Sequence, residues 1–99
     1  MESKKCYIAG KITGLPEDEY RNNFFDAVVE VRRLGFDPIN PVTLPHNHGR
    51  TWKDYMKECL TALLQCDCLY ALRSWRESKG ATIEVKTAMH LGIDIIYQK

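Results

Sequence analysis

Hydrophobic and polar residues along the chain alternate between short apolar runs and longer segments with helical periodicity. Four apolar runs predict buried strands, at residues 5–9, 36–41, 66–72 and 93–97. The third run is almost continuously hydrophobic, which is typical of a strand that is covered on both faces. The second run is interrupted by proline, so this strand is expected to be short.

Two helices are predicted with clear boundaries. Residues 20–34 place their apolar side chains on one face, and Gly35 follows where a helix stop is expected. Residues 51–64 repeat apolar side chains at helical spacing after Thr51. Thr51 and Asp54 have the spacing of a capping box, so Asp54 is assigned to the helix start.

A third helix is predicted within residues 80–92, which gives the order strand, helix, strand, helix, strand, helix, strand. This order predicts one α/β domain over residues 1–99. We expect a three-layer, Rossmann-like or flavodoxin-like fold, with a four-stranded parallel sheet, right-handed crossovers and helices on both faces. Ligands of such sheets bind beyond the carboxyl ends of the strands, a rim that includes loops 10–14 and 73–80 and the loop after Pro41.

Glu84 interrupts the apolar face of the third helix, where Ala81, Val85 and Ala88 lie at helical spacing. A buried carboxylate is costly unless it is paired, hydrogen-bonded or directed at a cleft. A capping box does not explain it, because Ala81 stands three residues earlier and cannot cap. Two interpretations remain: a functional carboxylate, or a glutamate at the edge of the face whose tip reaches water.

The loop Gly10-Lys-Ile-Thr-Gly14 follows a strand and precedes a helix, and its glycines allow backbone amides to approach an anion. It is neither a Walker A loop nor a dinucleotide fingerprint, so an ordinary glycine turn is the alternative. Lys11 is a candidate partner for a phosphate group.

Ser78 and Gly80, just before the third helix, form a second candidate anion site. In the same loop, Trp75 is a candidate for stacking on a base or ring, and shielding of a dimer contact is the other interpretation.

The net charge of +1 and the sequence pI of about 7.7 give no electrostatic reason to expect long nucleic acid or a membrane surface as a partner. No apolar run has the length of a membrane span, and the first residues lack a signal-peptide pattern. We therefore expect a cytoplasmic protein with a small ligand.

Buried free thiols are favoured over disulfides, because each cysteine lies within an apolar pattern. The pair Cys66 and Cys68 lacks the two-residue gap of a zinc knuckle, and no weight is given to the histidines of residues 46–48. No metal site and no cofactor are predicted. The four cysteines are Cys6, Cys59, Cys66 and Cys68.

Five short motifs in this order resemble a short domain family related to the nucleoside 2-deoxyribosyltransferases and the deoxynucleoside 5'-monophosphate N-hydrolases. The resemblance extends over almost the whole chain. The motifs are Tyr7-Ile-Ala-Gly-Lys-Ile-Thr-Gly14, Asn40-Pro41, Trp52-x-Asp-Tyr-Met56, Cys66-Asp67 and Ser78-Lys-Gly-Ala-x-x-Glu84.

The resemblance implies that Glu84 is a nucleophile, that Tyr7 lies beside it, and that loops 10–14 and 78–80 hold the sugar or its phosphate. The implied activity is N-glycosidic bond cleavage or base exchange on a nucleoside or (deoxy)nucleoside 5'-monophosphate. A carboxylate suits this chemistry, because it can stabilise an oxocarbenium-like transition state or trap the sugar covalently. A homodimer or larger homo-oligomer is also expected, since the relatives build parts of the site at subunit contacts.

One departure from the family leaves alternatives open. Cys59 occupies the position where the characterised enzymes carry an aspartate facing the base, and a protonated thiol is a poor substitute for a carboxylic acid. The alternatives are a non-catalytic nucleotide-binding module and an interaction protein. In the interaction protein, Trp52, Tyr55 and Met56 would form the assembly face.

Overall fold

Four parallel strands form one sheet in a computed structural model that describes residues 4–44 and 51–99. The strands are β1 (Lys5–Ala9), β2 (Asp37–Ile39), β3 (Cys68–Ala71) and β4 (Asp94–Tyr97). Their order is β2-β1-β3-β4, and every neighbouring pair is parallel.

Three α-helices cover the sheet: α1 (Glu17–Arg33), α2 (Trp52–Leu64) and α3 (Lys79–Leu91). Two short 3-10 helices, Pro41–Thr43 and Arg73–Glu77, lie in the connections after β2 and β3. The element order is therefore the one that the hydrophobic pattern predicts.

The central strands β1 and β3 direct alternate side chains to opposite faces of the sheet. Tyr7 and Leu69 pack in the same cluster as Leu63 of α2 and Val85 of α3. Side chains of the other face form a second cluster with α1. The predicted four-stranded parallel sheet with helices on both faces is confirmed.

Helix α1 begins at Glu17, about one turn earlier than the apolar spacing predicts. Pro16 occupies the N-cap position, and acidic side chains fill the first turn, where they interact favourably with the helix dipole. These residues are polar, so hydrophobic periodicity could not include them. The chain leaves the helix through Gly35, whose φ is +94°.

Strand β3 is shorter than predicted at its start. The amide of Cys66 donates to the carbonyl of Leu63, which places Cys66 in the exit turn of α2. Cys66 is nevertheless buried, so its hydrophobicity was read as part of the strand.

Helix α3 begins at Lys79 because Ser78 is its N-cap: the Ser78 Oγ accepts a hydrogen bond from the amide of Ala81 at 3.1 Å. Gly80 therefore lies inside the first turn and not before it. The preceding segment, expected to be a polar loop, contains the 3-10 helix noted above. Gly92, with φ of +75°, follows the last turn of α3.

All four cysteines are buried and free, which confirms their predicted place in the apolar interior. The histidines of residues 46–48 lie outside the described residues. Within ranges 4–44 and 51–99, no helix is both long and apolar enough to cross a membrane.

Candidate active site

A cavity of about 660 Å³ opens where the strands end. Its walls come from the end of β1 and the loop after it, from Pro41 after β2, from the first turns of α2 and α3, and from Phe24 of α1. The lining residues are Tyr7, Gly10, Ile12, Thr13, Phe24, Pro41, Thr51, Trp52, Tyr55, Met56, Glu77, Ser78, Lys79, Gly80, Ala81 and Glu84.

Glu84 lines this cavity from the buried face of α3. The residue is only 5% exposed, and its Oε2 accepts a hydrogen bond of 2.6 Å from the hydroxyl of Tyr7 on β1. The tip of Glu84 does not reach out from the edge of the helix to bulk water, so that interpretation is wrong. The carboxylate instead meets both conditions for a tolerated buried charge, a hydrogen bond and a cavity.

Burial raises the pKa of the Glu84 carboxyl to about 7, and the hydrogen bond from Tyr7 acts in the opposite direction. Burial, reinforced by the charge of Glu84, raises the pKa of Tyr7 well above its ordinary value. Tyr7 therefore stays protonated at neutral pH and donates to the carboxylate. Such a pair holds a carboxyl group that titrates near neutrality in one orientation.

Cys59 lies behind this pair and does not line the cavity. It is 1% exposed and lies in the core cluster with Tyr7, against which Tyr55 also packs. Burial raises its pKa to about 11, so the thiol stays neutral. Tyr7 and Tyr55 line the cavity.

Six of the ten predicted site residues line the cavity together: Tyr7, Gly10, Thr13, Ser78, Gly80 and Glu84. Lys11 lies at its edge, with its Nζ 3.8 Å from a carboxylate oxygen of Glu77, which is a lining residue. The backbone amide of Lys11 donates to the hydroxyl of Ser74 at 3.1 Å. Gly14 adopts a φ of +92° beside Lys11 and forms the turn without lining the cavity.

The other two predicted residues have different surroundings. Asn40 caps the 3-10 helix after β2, where its Oδ1 accepts from the amide of Val42 at 3.0 Å, and its neighbour Pro41 lines the cavity. Trp75, a candidate for stacking on a base or for shielding a dimer contact, is buried in the core cluster between the sheet and helices α2 and α3 and does not line the cavity. Its ring centre is 6.3 Å from that of Tyr97.

Sequence reasoning missed Trp52 as a cavity residue. Trp52, Tyr55 and Met56 belong to one motif of the resemblance and form the assembly face of the interaction-protein alternative, and all three line the cavity. Their spacing of three and four residues was the available signal, because it places them on one face of α2. The spacing does not indicate whether that face of α2 turns towards the cavity or towards solvent.

The pKa of Glu84 makes stability depend on pH. Glu84 binds its proton more tightly in the native state than in the unfolded chain. The stability that protonated Glu84 contributes is therefore complete below about pH 4.5 and is lost as pH rises through about 7, a total loss of about 3 kcal/mol. We expect the free energy of unfolding of the parent, relative to Glu84→Gln, to fall between about pH 5 and about pH 8. Urea unfolding of both proteins across this range measures the difference, and a constant difference would contradict the assignment.

No group of three or more His, Cys, Asp or Glu side chains that could hold a metal ion occurs in the described part of the chain.

The fold and the cavity define an α/β domain with a cavity at the carboxyl ends of a parallel sheet and one buried carboxyl group in the cavity wall. The chain belongs to the family described as "Domain of unknown function (DUF4406)", whose model matches residues 4–97. No curated protein matches the chain.

A solved structure, the "2-desoxiribosyltransferase from Leishmania mexicana", is similar to this protein with a TM-score of 0.66 and 21% sequence identity. The similarity covers 95% of this chain and 63% of that chain. At this identity the comparison shows the fold, and the resemblance noted in the sequence is confirmed as a deoxyribosyltransferase-like fold.

Proposed function

We propose that the protein cleaves the N-glycosidic bond of a nucleoside or deoxynucleoside 5'-monophosphate, with water or a second base as acceptor. The observation that carries the proposal is the Glu84 carboxyl group, which is buried at the cavity wall and held by the Tyr7 hydroxyl. The deoxyribosyltransferase-like fold supports the same class of substrate.

In the first step, Oε1 of Glu84 bonds to the anomeric carbon while the bond from that carbon to the base nitrogen breaks. The electron pair of the broken bond stays on the base, which takes up a proton from solvent water. Tyr7 remains protonated throughout and keeps its hydrogen bond to Oε2. In the second step, water or another base attacks the anomeric carbon, loses a proton and releases Glu84 as a carboxylate.

The sugar end of the substrate is assigned to the loop after β1 and the start of α3. Ser78, Lys79 and Gly80 line the cavity in the N-cap and first turn of α3, where backbone amides and the helix dipole favour an anion. Lys11 adds a second cation at the edge, partly balanced by Glu77. This arrangement favours a 5'-phosphate over a neutral hydroxymethyl group.

The second candidate function is a nucleotide-binding module without catalysis. The observation that favours it is the neutral, buried thiol of Cys59, which lies where the related enzymes are expected to carry an acid. Among the described lining residues, the carboxyl groups are those of Glu77 and Glu84. A module of this kind would bind the nucleotide and leave the departing base without a proton donor.

One experiment separates these candidates. The protein is incubated with a mixture of nucleosides and deoxynucleoside 5'-monophosphates, and free bases are measured by chromatography, while thermal unfolding is followed with each ligand. Base release with thermal stabilisation supports the enzyme, since a ligand that binds only the native state raises stability. Stabilisation without base release supports the binding module. If the protein shows neither base release nor stabilisation, the interaction protein remains as the interpretation.

We also propose that the protein forms a homodimer through α2. Leu64 is 56% exposed on this helix, and Leu60 is only partly buried against the core. Light scattering is expected to give twice the chain mass of 11.5 kDa at micromolar concentration. Leu64→Lys should shift the mass towards the monomer, with the equally exposed Leu91→Lys as control, and a monomeric parent would contradict the proposal.

A further inference from the structure

Trp52 is held in a fixed position at the start of α2. The preceding residue, Thr51, caps the helix: its Oγ1 accepts from the amide of Asp54 at 3.1 Å and donates to the Asp54 carboxylate at 2.7 Å. This cap orders the first turn of α2, which carries Trp52 at its first position. The backbone of Trp52 is therefore held in the ordered first turn of α2.

The indole ring of Trp52 also contacts the start of α3. The Nζ of Lys79 lies 4.7 Å from the ring centre, a cation–π contact that restricts rotation of the indole. A Cβ added to Gly80 would lie 3.8 Å from the Cζ2 of Trp52 and 3.0 Å from the Sδ of Met56. The added Cβ would make an ordinary van der Waals contact with the indole and a tight one with Met56, which places Trp52 beside the first turn of α3.

This contact sets the distance between the indole and the carboxylate. Gly80 and Glu84 are four residues apart on one face of α3, so they are separated by about 6 Å along the helix axis. A base joined to a sugar whose anomeric carbon faces Glu84 would lie within about one helical turn of it, which is the reach of the Trp52 indole on the side of Gly80 that faces α2, while the phosphate is assigned to the backbone amides at the N-cap of α3. The indole and the carboxylate line the same cavity.

The surroundings of Trp52 suit a flat aromatic ring. The residue is 43% exposed, so an aromatic surface remains available despite the contact with Lys79. Other walls of the cavity are apolar, and they include Ile12, Phe24 and Pro41. Stacking of a base on an aromatic side chain tolerates every base, because each has a π face, and a larger ring system covers more apolar surface.

We infer that Trp52 is the platform on which the nucleobase of the ligand stacks, and that purine nucleotides bind more tightly than pyrimidine nucleotides for this reason. The inference rests on the proposed function and deepens it, because it assigns the base end of the ligand to the first turn of α2. Trp75, the other tryptophan, is buried and takes no part.

Binding is tested in the Glu84→Gln protein, which keeps the shape of the cavity and prevents turnover during the titration. Tryptophan fluorescence is measured with deoxyadenosine 5'-monophosphate, deoxycytidine 5'-monophosphate and 2-deoxyribose 5-phosphate. Both nucleotides should quench the fluorescence, with the purine binding more tightly, and the sugar phosphate should quench little. In the double variant with Trp52→Phe, where Trp75 is the remaining tryptophan, the quenching should disappear.

A second measurement uses calorimetry and Trp52→Ala in the same background. Nucleotide affinity should fall about tenfold to 100-fold, while affinity for 2-deoxyribose 5-phosphate should change less than about threefold. Phe25→Ala removes an aromatic ring that is 62% exposed on α1 and does not line the cavity, so it serves as the matched control. Thermal unfolding of each variant verifies that the fold is kept.

The outcomes separate this inference from the proposed function. Nucleotide affinity that is unchanged in Trp52→Ala would overturn the role of Trp52, even if the parent releases bases. A loss of affinity in Trp52→Ala would support that role, even if the parent releases no base. Pyrimidine nucleotides that bind as tightly as purine nucleotides would overturn the predicted preference. If none of the nucleotides binds, both proposals fail.

Discussion

Base release is expected to fall by about 10³-fold or more when Glu84 is replaced by glutamine, with the fold intact. Glutamine has the shape of glutamate and can still accept a hydrogen bond from Tyr7, but its amide oxygen is a poor nucleophile. The measurement is the rate of base release at saturating deoxynucleotide, followed by chromatography.

The matched control for this variant is Glu77→Gln. Glu77 is the other carboxyl-bearing residue among the described lining residues, and its side chain is 68% exposed beside Lys11. Its replacement should change the rate by less than about tenfold, because it removes a partner of Lys11 and no reacting group. If Glu84→Gln retained the parental rate, or if only Glu77→Gln lost it, the assignment of the nucleophile would be wrong.

Tyr7→Phe is expected to displace the pH dependence of base release. The rate should rise as Glu84 ionises, with a midpoint at about pH 7 in the parent. The Tyr7 hydroxyl lowers the pKa of Glu84, so its removal should move this midpoint upward by about one pH unit or more. At pH 7, where about half of Glu84 is ionised in the parent, an upward shift of about one to two units should make the variant about fivefold to 50-fold slower.

The variant Tyr55→Phe tests whether this displacement comes from the hydroxyl in contact with Glu84. Tyr55 lines the same cavity and packs against the core cluster that contains Cys59, but this variant keeps the donor at Tyr7. Its rate is measured over the same pH range, and the midpoint should stay within about 0.3 of the parental value. Equal displacement in both variants would indicate a general effect of the tyrosine pair on the cavity.

Most of the fold could be predicted from the sequence, because the apolar positions repeat with the periods of strands and helices. The errors lie at element ends. The first turn of α1 is acidic and has no apolar signal, while Cys66 is apolar and buried but belongs to the exit turn of α2. At such positions local hydrogen bonds and the helix dipole decide the boundary.

The carboxylate of the candidate site was also predictable, since a charge within an apolar face of a helix requires a local reason. The positions of the two tryptophans relative to the cavity could not be predicted. Both stand close to helix starts in polar surroundings, so the sequence does not distinguish them. The packing of α2 against α3 turns Trp52 towards the cavity, and the core between the sheet and these helices encloses Trp75.

The close approach of α2 and α3 at Gly80 has a consequence for how the family can vary. A methyl group at position 80 would meet the sulfur of Met56 at 3.0 Å, a contact that the flexible thioether can relieve only by moving within a crowded wall. Positions 56 and 80 are therefore expected to change as a pair during evolution. A relative with alanine at position 80 should carry a shorter side chain at position 56, and its cavity should differ in width from this one.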